Sequence, residues 1–372
     1  MIGTLHSLER LSLRGSQITD AGLGFLGSLP SLELLVLSDT AITDAGLAEL
    51  PAVRTLKHLF ISSTGITDAG LEHLAALEQL RKLGVDGTKV TDQGVFDLWE
   101  VRPGVDVRIG GMIAQGHSGY SGPLTRSTHE RLAAGEHVNL GYSCVTGASL
   151  KRLSQATGLK TLNLRGSRVD DNALKNLADL KSLEILFLGD TPVTDQGLLH
   201  LEALSNLRHL ELGGPSITDD AMRMVGKLAS LEIVTLFHTS VTDAGLVHLA
   251  QMPALKTLLL AGANVSDEGL RALARCPSLE NLQLLQTNVT DAGIAHLEGL
   301  RHLEVLVVDG DGITDAAAES LGRLKGLRVL NLYGTKVTAE GAKTLQRALP
   351  TCKLGLPSAR RRVAPRMTSQ PQ

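Results

Sequence analysis

Leu231-Glu232-Ile233-Val234-Thr235-Leu236-Phe237-His238-Thr239-Ser240-Val241-Thr242-Asp243-Ala244-Gly245-Leu246-Val247-His248-Leu249 changes its period half-way along. In the first part Val234 and Leu236 alternate with Ile233, Thr235 and Phe237, the period of a strand with one buried face and one facing solvent. In the second part Leu246, Leu249 and, just beyond, Met252 recur at the three- to four-residue spacing of an amphipathic helix. Thr242 and Asp243 stand where that helix starts, the first suited to accept an N-cap hydrogen bond and the second to place a negative charge near the positive end of the helix dipole. One short stretch therefore predicts a strand, a turn and a helix.

The same stretch returns along almost the whole chain. Aligned on Val-Thr-Asp, the aspartates fall at Asp20, Asp44, Asp68 and Asp92, then at Asp171, Asp195, Asp219, Asp243, Asp267, Asp291 and Asp315, with a period of 24 in both blocks. The third helical position is small in every unit, as at Gly22, Gly46, Gly70, Gly94, Ala173, Gly197, Ala221, Gly245, Gly269, Gly293, Ala317 and Gly341. Glycine inside a helix costs roughly 0.5–1 kcal/mol relative to alanine, so its return predicts a close contact with the strand or a neighbouring helix that a larger side chain would block. Parallel strands stack about 4.8 Å apart and packed helices about 8–10 Å apart, so repeated strand-plus-helix units must bend with the strands inside. The expected fold is an α/β solenoid, a horseshoe with a concave parallel β-sheet and helices on the convex side.

The unit Leu-x-x-Leu-x-Leu-x-x-Thr-x-Val-Thr-Asp-x-Gly-Leu-x-x-Leu resembles the leucine-rich repeat family. It is most similar to bacterial repeat proteins with an Ile/Val-Thr-Asp-x-Gly-Leu-x-x-Leu unit and, more distantly, to the repeat regions of F-box substrate receptors. The chain departs from the commoner repeat where Thr40, Thr64, Thr88, Thr191, Thr239, Thr287 and Thr335 hold a slot usually given to asparagine; a hydroxyl there can still bond nearby backbone. The resemblance implies a protein-binding scaffold without naming its partner.

Two places close a repeat in the same way, around Pro103 and around Pro350. They suggest a first block over residues 1–110, an irregular loop and helix over 111–136, a second block over 137–356 and a flexible basic tail over 357–372. Within the irregular part, 110–122 is rich in glycine and polar residues and reads as a surface loop, with a hinge or binding loop as the alternative, while 127–134 reads as a helix. Val107 and Val138 occupy equivalent strand positions 31 residues apart, one repeat plus seven, so a continuous solenoid with one irregular unit is preferred over two separate arcs. Leu5, Leu8, Leu11 and Leu13 already fit the middle of a repeat, which leaves an uncapped edge for an upstream segment or another chain to cover.

Composition narrows the function. Aromatic residues make up 2% of the chain, so the core must be aliphatic. A net charge of −3 provides no general field to attract nucleic acid or an anionic membrane, and neither is expected as a partner. Three cysteines, Cys144, Cys276 and Cys352, are odd in number and widely spaced, which fits a reducing, cytoplasmic setting. The sequence has no apolar run of transmembrane length and no signal-peptide pattern.

Candidate chemical motifs have plainer readings. Gly22-Leu23-Gly24-Phe25-Leu26-Gly27 matches a nucleotide-binding pattern but sits inside the repeat helix rather than after a buried strand. Gly116-His117-Ser118-Gly119 has a misplaced second glycine for a nucleophile elbow. His73, His200, His248 and His296 share one helix slot, yet the last three are two repeats apart and so roughly 20 Å from one another, too far to share a metal. The sequons at Asn264 and Asn288 fall in a slot where Ser or Thr recurs as part of the repeat. No enzyme constellation, cofactor, metal or small-molecule substrate is expected.

What varies is the solvent-facing side of the strands. Phe60, Ile185, Phe187, His209, Glu211, Ile233, Phe237, Leu259, Gln283, Leu285 and Tyr333 fall there and are the candidate partner-binding residues. Phenylalanines on exposed sheet, which the leucine framework had room for, are typical interface anchors, although some shield the sheet instead. The sequence thus predicts a non-enzymatic scaffold that binds another protein on its concave face, with a substrate-recognition subunit of a ubiquitin-ligase-like assembly as the alternative.

Overall fold

A computed structural model describes residues 6–102, 104–108, 137–141, 145–154, 156 and 158–356. The 110–122 loop, the 127–134 helix, the motif at 116–119, Cys144 and the 357–372 tail all lie outside the described residues. The chain divides into two compact units, Met1–Ile217 and Thr218–Gln372.

In the first unit β1 (Arg10–Ser12), β2 (Leu34–Val36), β3 (His58–Phe60), β4 (Lys82–Gly84) and β5 (Asp106–Arg108) form one parallel sheet in sequence order. The strands β6 (His137–Asn139), β7 (Thr161–Asn163), β8 (Ile185–Leu188) and β9 (His209–Gly213) pair in parallel one after the next. The second unit continues the pattern with β10 (Ile233–Phe237), β11 (Thr257–Ala261), β12 (Asn281–Leu285), β13 (Val305–Val308), β14 (Val329–Asn331) and β15 (Lys353–Gly355), again parallel and in order. Paired residues are 24 apart, as in Val234 with Leu258 and Leu258 with Leu282. This is the α/β leucine-rich repeat solenoid that the sequence predicts, with open parallel sheets.

Burial follows the repeat. Leu231, Val234, Leu236, Val241, Leu246 and Leu249 are fully buried, as are equivalent residues such as Leu207, Leu210 and Leu212, while Leu8, Leu11 and Leu13 of the first repeat are only partly buried. The segment after each turn is less regular than a single amphipathic helix. Asp243–Leu249 and Asp267–Leu273 are α-helical, whereas in the first unit a four-residue α-helix over Asp44–Leu47 is followed by a 3₁₀ turn over Leu50–Ala52. The nucleotide-like glycines at 22–27 lie in two 3₁₀ turns, Asp20–Gly22 and Gly24–Ser28.

The repeated aspartate does more than sit at a helix start. Its carboxylate crosses to the next repeat and accepts both the backbone N–H and the hydroxyl of the threonine (or serine) 23 residues on. Asp20 with Thr43, Asp44 with Thr67, Asp68 with Thr91 and Asp171 with Thr194 do so in the first unit. In the second, Asp219 with Thr242 and Asp243 with Ser266 show distances of 2.6–2.8 Å, and Asp267, Asp291 and Asp315 repeat the pairing. The same hydroxyl accepts an N–H at the start of its own helix, for example from Ala244 to Thr242. The hydroxyl thus acts as the expected N-cap and also as a link between repeats.

That carboxylate explains the small helical position. A Cβ placed on Gly245 would stand 2.5 Å from Asp219 Oδ1, and one on Gly269 would stand 2.5 Å from Asp243 Oδ1. The close neighbour is the previous repeat's aspartate, not a strand. Hydrogen bonds from the threonines in the asparagine slot run to the carbonyl three residues back, as from Thr64 to Ile61 and from Thr335 to Leu332. Thr239 and Thr287 depart from this, their hydroxyls being buried without a hydrogen bond.

Among the described residues, turns leaving the strands pass through a left-handed residue, glycine at Gly15, Gly87, Gly166, Gly214, Gly262, Gly310 and Gly334 and another residue at Asp39, Ser63, Asp190, His238 and Gln286. Its signal in the sequence is the column of glycine and polar residues at 24-residue spacing.

The passage between β5 and β6 is bridged on the helix side. Asp92, fully buried, accepts from the Thr146 hydroxyl at 2.5 Å and from Ser149 N–H at 2.8 Å. Arg152 lies 4.0 Å over the Phe96 ring, and the Arg168 guanidinium donates to the Thr88 carbonyl at 3.1 Å. The repeat that follows Asp92 in the aspartate–threonine ladder is therefore the one carrying Thr146, although 54 residues separate the pair.

Candidate functional site

In the second unit the solvent-facing positions of β10 to β14 form three rows by strand register. Ile233, Thr257, Asn281, Val305 and Val329 make the first; Thr235, Leu259, Gln283, Val307 and Asn331 the second; Phe237, Ala261 and Leu285 begin the third. Most are half-buried, since strands stacked this closely leave each side chain leaning on its neighbour; Thr235 and Ala261 are buried and Tyr333, after β14, is 56% exposed. Ile233, Phe237, Leu259, Gln283 and Leu285 all lie in these rows. The amide of Gln283 donates to Asn281. Asp309, at the end of β13, spends its carboxylate on the Gln286 N–H at 2.6 Å. His238 and Gln286 are exposed at the rim, directly after the apolar Phe237 and Leu285, and hold left-handed backbone with φ of 50° and 53°.

In the first unit Phe60 and β4 meet closely: its ring covers Gly84, where a Cβ would stand 2.7 Å from the ring edge. The ring itself stays half-buried. On β8 and β9, Ile185 is level with His209 and Phe187 with Glu211. Phe187 and His209 meet edge to face with centroids 5.1 Å apart, and burial lowers the His209 pKa. Glu211 differs from its expected exposure, being only 7% exposed. Its carboxylate lies 3.4 Å from Arg165 Nη1, while Arg165 Nε donates to Asp190 at 3.2 Å. Burial pushes the Glu211 pKa up against the opposing pull of Arg165. Alternation placed Glu211 on the outward row, but only the stacked neighbours determine how deeply it sinks.

In the turns between strand and helix Asn288 donates its amide to Asn264 at 2.8 Å, a side-chain link between adjacent repeats. Among the described residues no group of His, Cys, Asp and Glu is placed to hold a metal, and no helix is long and apolar enough to cross a membrane.

Residues 195–356 match a family model described as the LRR repeats of an FBD-associated F-box protein, and residues 4–27, 28–50 and 54–75 match a leucine-rich repeat model. No curated protein matches the sequence. Among solved structures, an internalin of Listeria monocytogenes aligns with a TM-score of 0.42 and 19% identity over 94% of this chain and 87% of that one. A repeat protein of Leptospira interrogans aligns with a TM-score of 0.45 and 19% identity, covering 95% of this chain and 91% of that one.

Proposed function

Because the chain belongs to the leucine-rich repeat family, we propose that it is a non-enzymatic scaffold binding a partner protein on the solvent-facing side of its strands. The observation that carries the reading is the chemistry of β10 to β14. Phe237, Leu259, Leu285, Val305, Val307 and Val329 are left half-buried there, and the one carboxylate, Asp309, is already hydrogen-bonded. A face of this kind gains from covering apolar surface, and its varied identities on a constant framework suit recognition. The free, buried thiols of Cys276 and Cys352 support a cytoplasmic setting.

The test compares wild type with a Phe237→Asp/Leu285→Asp variant whose circular dichroism and melting show that it is folded. Both are used to capture proteins from lysate of the source cells. Capture by wild type alone is the expected result; identical captured sets reject this face as the binding site. The family-model match over residues 195–356 favours one second reading, a substrate-recognition subunit of a larger enzyme assembly. It predicts co-purification with a catalytic partner.

A further inference from the structure

We infer that the solvent-facing floor of β7 to β9 seats one cationic side chain, of lysine or arginine, presented by a partner protein. The inference deepens the protein-binding reading by naming a group the partner carries, and its test needs no partner, so the two fail separately.

The site is built from three charged groups. Arg165 donates Nε to Asp190 Oδ2 at 3.2 Å and holds Nη1 3.4 Å from Glu211 Oε1, so one guanidinium is shared by two carboxylates and one negative charge is left over. The Glu211 side chain is only 9% exposed, and its Oε1 is buried with no hydrogen bond. Gly189 makes the room for it: a Cβ there would stand 2.6 Å from Oε1. A buried carboxylate oxygen held only by a 3.4 Å ion-pair contact and by no hydrogen bond is costly to the fold, and one that persists calls for a reason. Asp190 is the accessible end of the cluster, with 51% of its side chain exposed.

A cation arriving at Asp190 supplies the missing charge. Arg165, released from Asp190, then turns wholly onto Glu211, and each carboxylate has its own partner. Phe187 lies level with Glu211 on the adjacent strand and is half-buried against His209. Its ring offers a surface on which a guanidinium or ammonium stem can lie. The remaining outward residues of these strands, Thr161, Asn163 and Ile185, add no charge that would repel a cation.

The probes are N-acetyl-arginine methylamide and N-acetyl-lysine methylamide, with uncharged N-acetyl-citrulline methylamide as control, titrated into the full chain labelled at histidine ring carbons. The His209 resonance is assigned by its loss in His209→Gln. Saturable movement of that resonance by one or both cations, with a dissociation constant in the millimolar range, and none by citrulline is expected; which cation acts distinguishes the guanidinium from the ammonium. Glu211→Gln and Asp190→Asn are compared after their melting curves show folded protein; asparagine tolerates the left-handed backbone at 190. Weakening of about tenfold or more in either variant supports the site. An equal response to citrulline, no saturable response in wild type, or undiminished binding in both variants overturns it.

Discussion

Replacing Gly245 with alanine tests the contact that joins one repeat to the next. Inside an ordinary helix the change would stabilise by roughly 0.5–1 kcal/mol, because glycine loses more backbone freedom on folding. Here the new Cβ would stand 2.5 Å from Asp219 Oδ1 and 3.0 Å from both Met222 Cγ and Val241 Cγ1. Asp219 cannot retreat freely, since its carboxylate receives the Thr242 N–H at 2.7 Å, the Thr242 hydroxyl at 2.6 Å and the Gly245 N–H at 3.0 Å. Overpacking of this kind costs about 1–3 kcal/mol, enough to reverse the sign of the helix gain. The upper end is not expected, because Ala317 occupies the same slot one repeat beyond Gly293 while Asp291 keeps both bonds to Thr314. Alanine in this slot is accommodated in a 3₁₀ turn at Asp315–Ala317 and in an α-helix at Asp219–Val225, which carries Ala221.

The assay is denaturant unfolding followed by circular dichroism for wild type, Gly245→Ala, Asp219→Ala and the double variant, with midpoints compared because a repeat array need not unfold in two states. Asp219→Ala destabilises by loss of the charge-assisted bonds. In its background the Gly245→Ala change becomes neutral or stabilising, a coupling of about 1 kcal/mol or more. Strict additivity of the two changes, or a Gly245→Ala protein more stable than wild type, refutes the idea that the carboxylate sets the size of this position.

His238 and Gln286 hold left-handed backbone where Gly262 and Gly334 hold the same slot without strain, so His238→Gly and Gln286→Gly are each expected to raise stability by up to about 1 kcal/mol in thermal or denaturant melts. Glu211 binds its proton more tightly folded than unfolded, because burial raises its pKa. Its contribution to stability is present below the ordinary carboxylate value and is lost as pH rises through the raised one. Wild type should therefore lose stability relative to Glu211→Gln across that window, His209 being common to both; parallel curves refute it. Asp315 has a lowered pKa, caused first by the Thr338 hydroxyl and then by the Thr338 backbone N–H. Thr338→Val should raise that pKa in a carbon-detected titration, and the Asp315 contribution, present above its unfolded value, should then disappear at a higher pH on acidification.

Each repeat carries its own strand period, helix stripe and turn, so Val234, Leu236, Leu246 and Leu249, all close in the chain, suffice to define the fold. The parallel pairing at a spacing of 24 followed from the same period, since identical units bury their leucines only by stacking in register. The outward rows were legible for the same reason, because alternation assigns a face to every strand residue. What alternation does not carry is depth: Glu211 and Tyr333 occupy outward positions alike, yet the first is 7% exposed and the second 56%. Depth depends on which side chains stand one repeat away, and Gly189 beside Glu211 is such a neighbour. Local spacing likewise identifies the aspartate only as a helix charge, whereas stacking turns it into a bond between repeats. The pairing of Asp92 with Thr146 lay beyond any periodic reading, because the chain between them breaks the period and only the packed structure brings the two together.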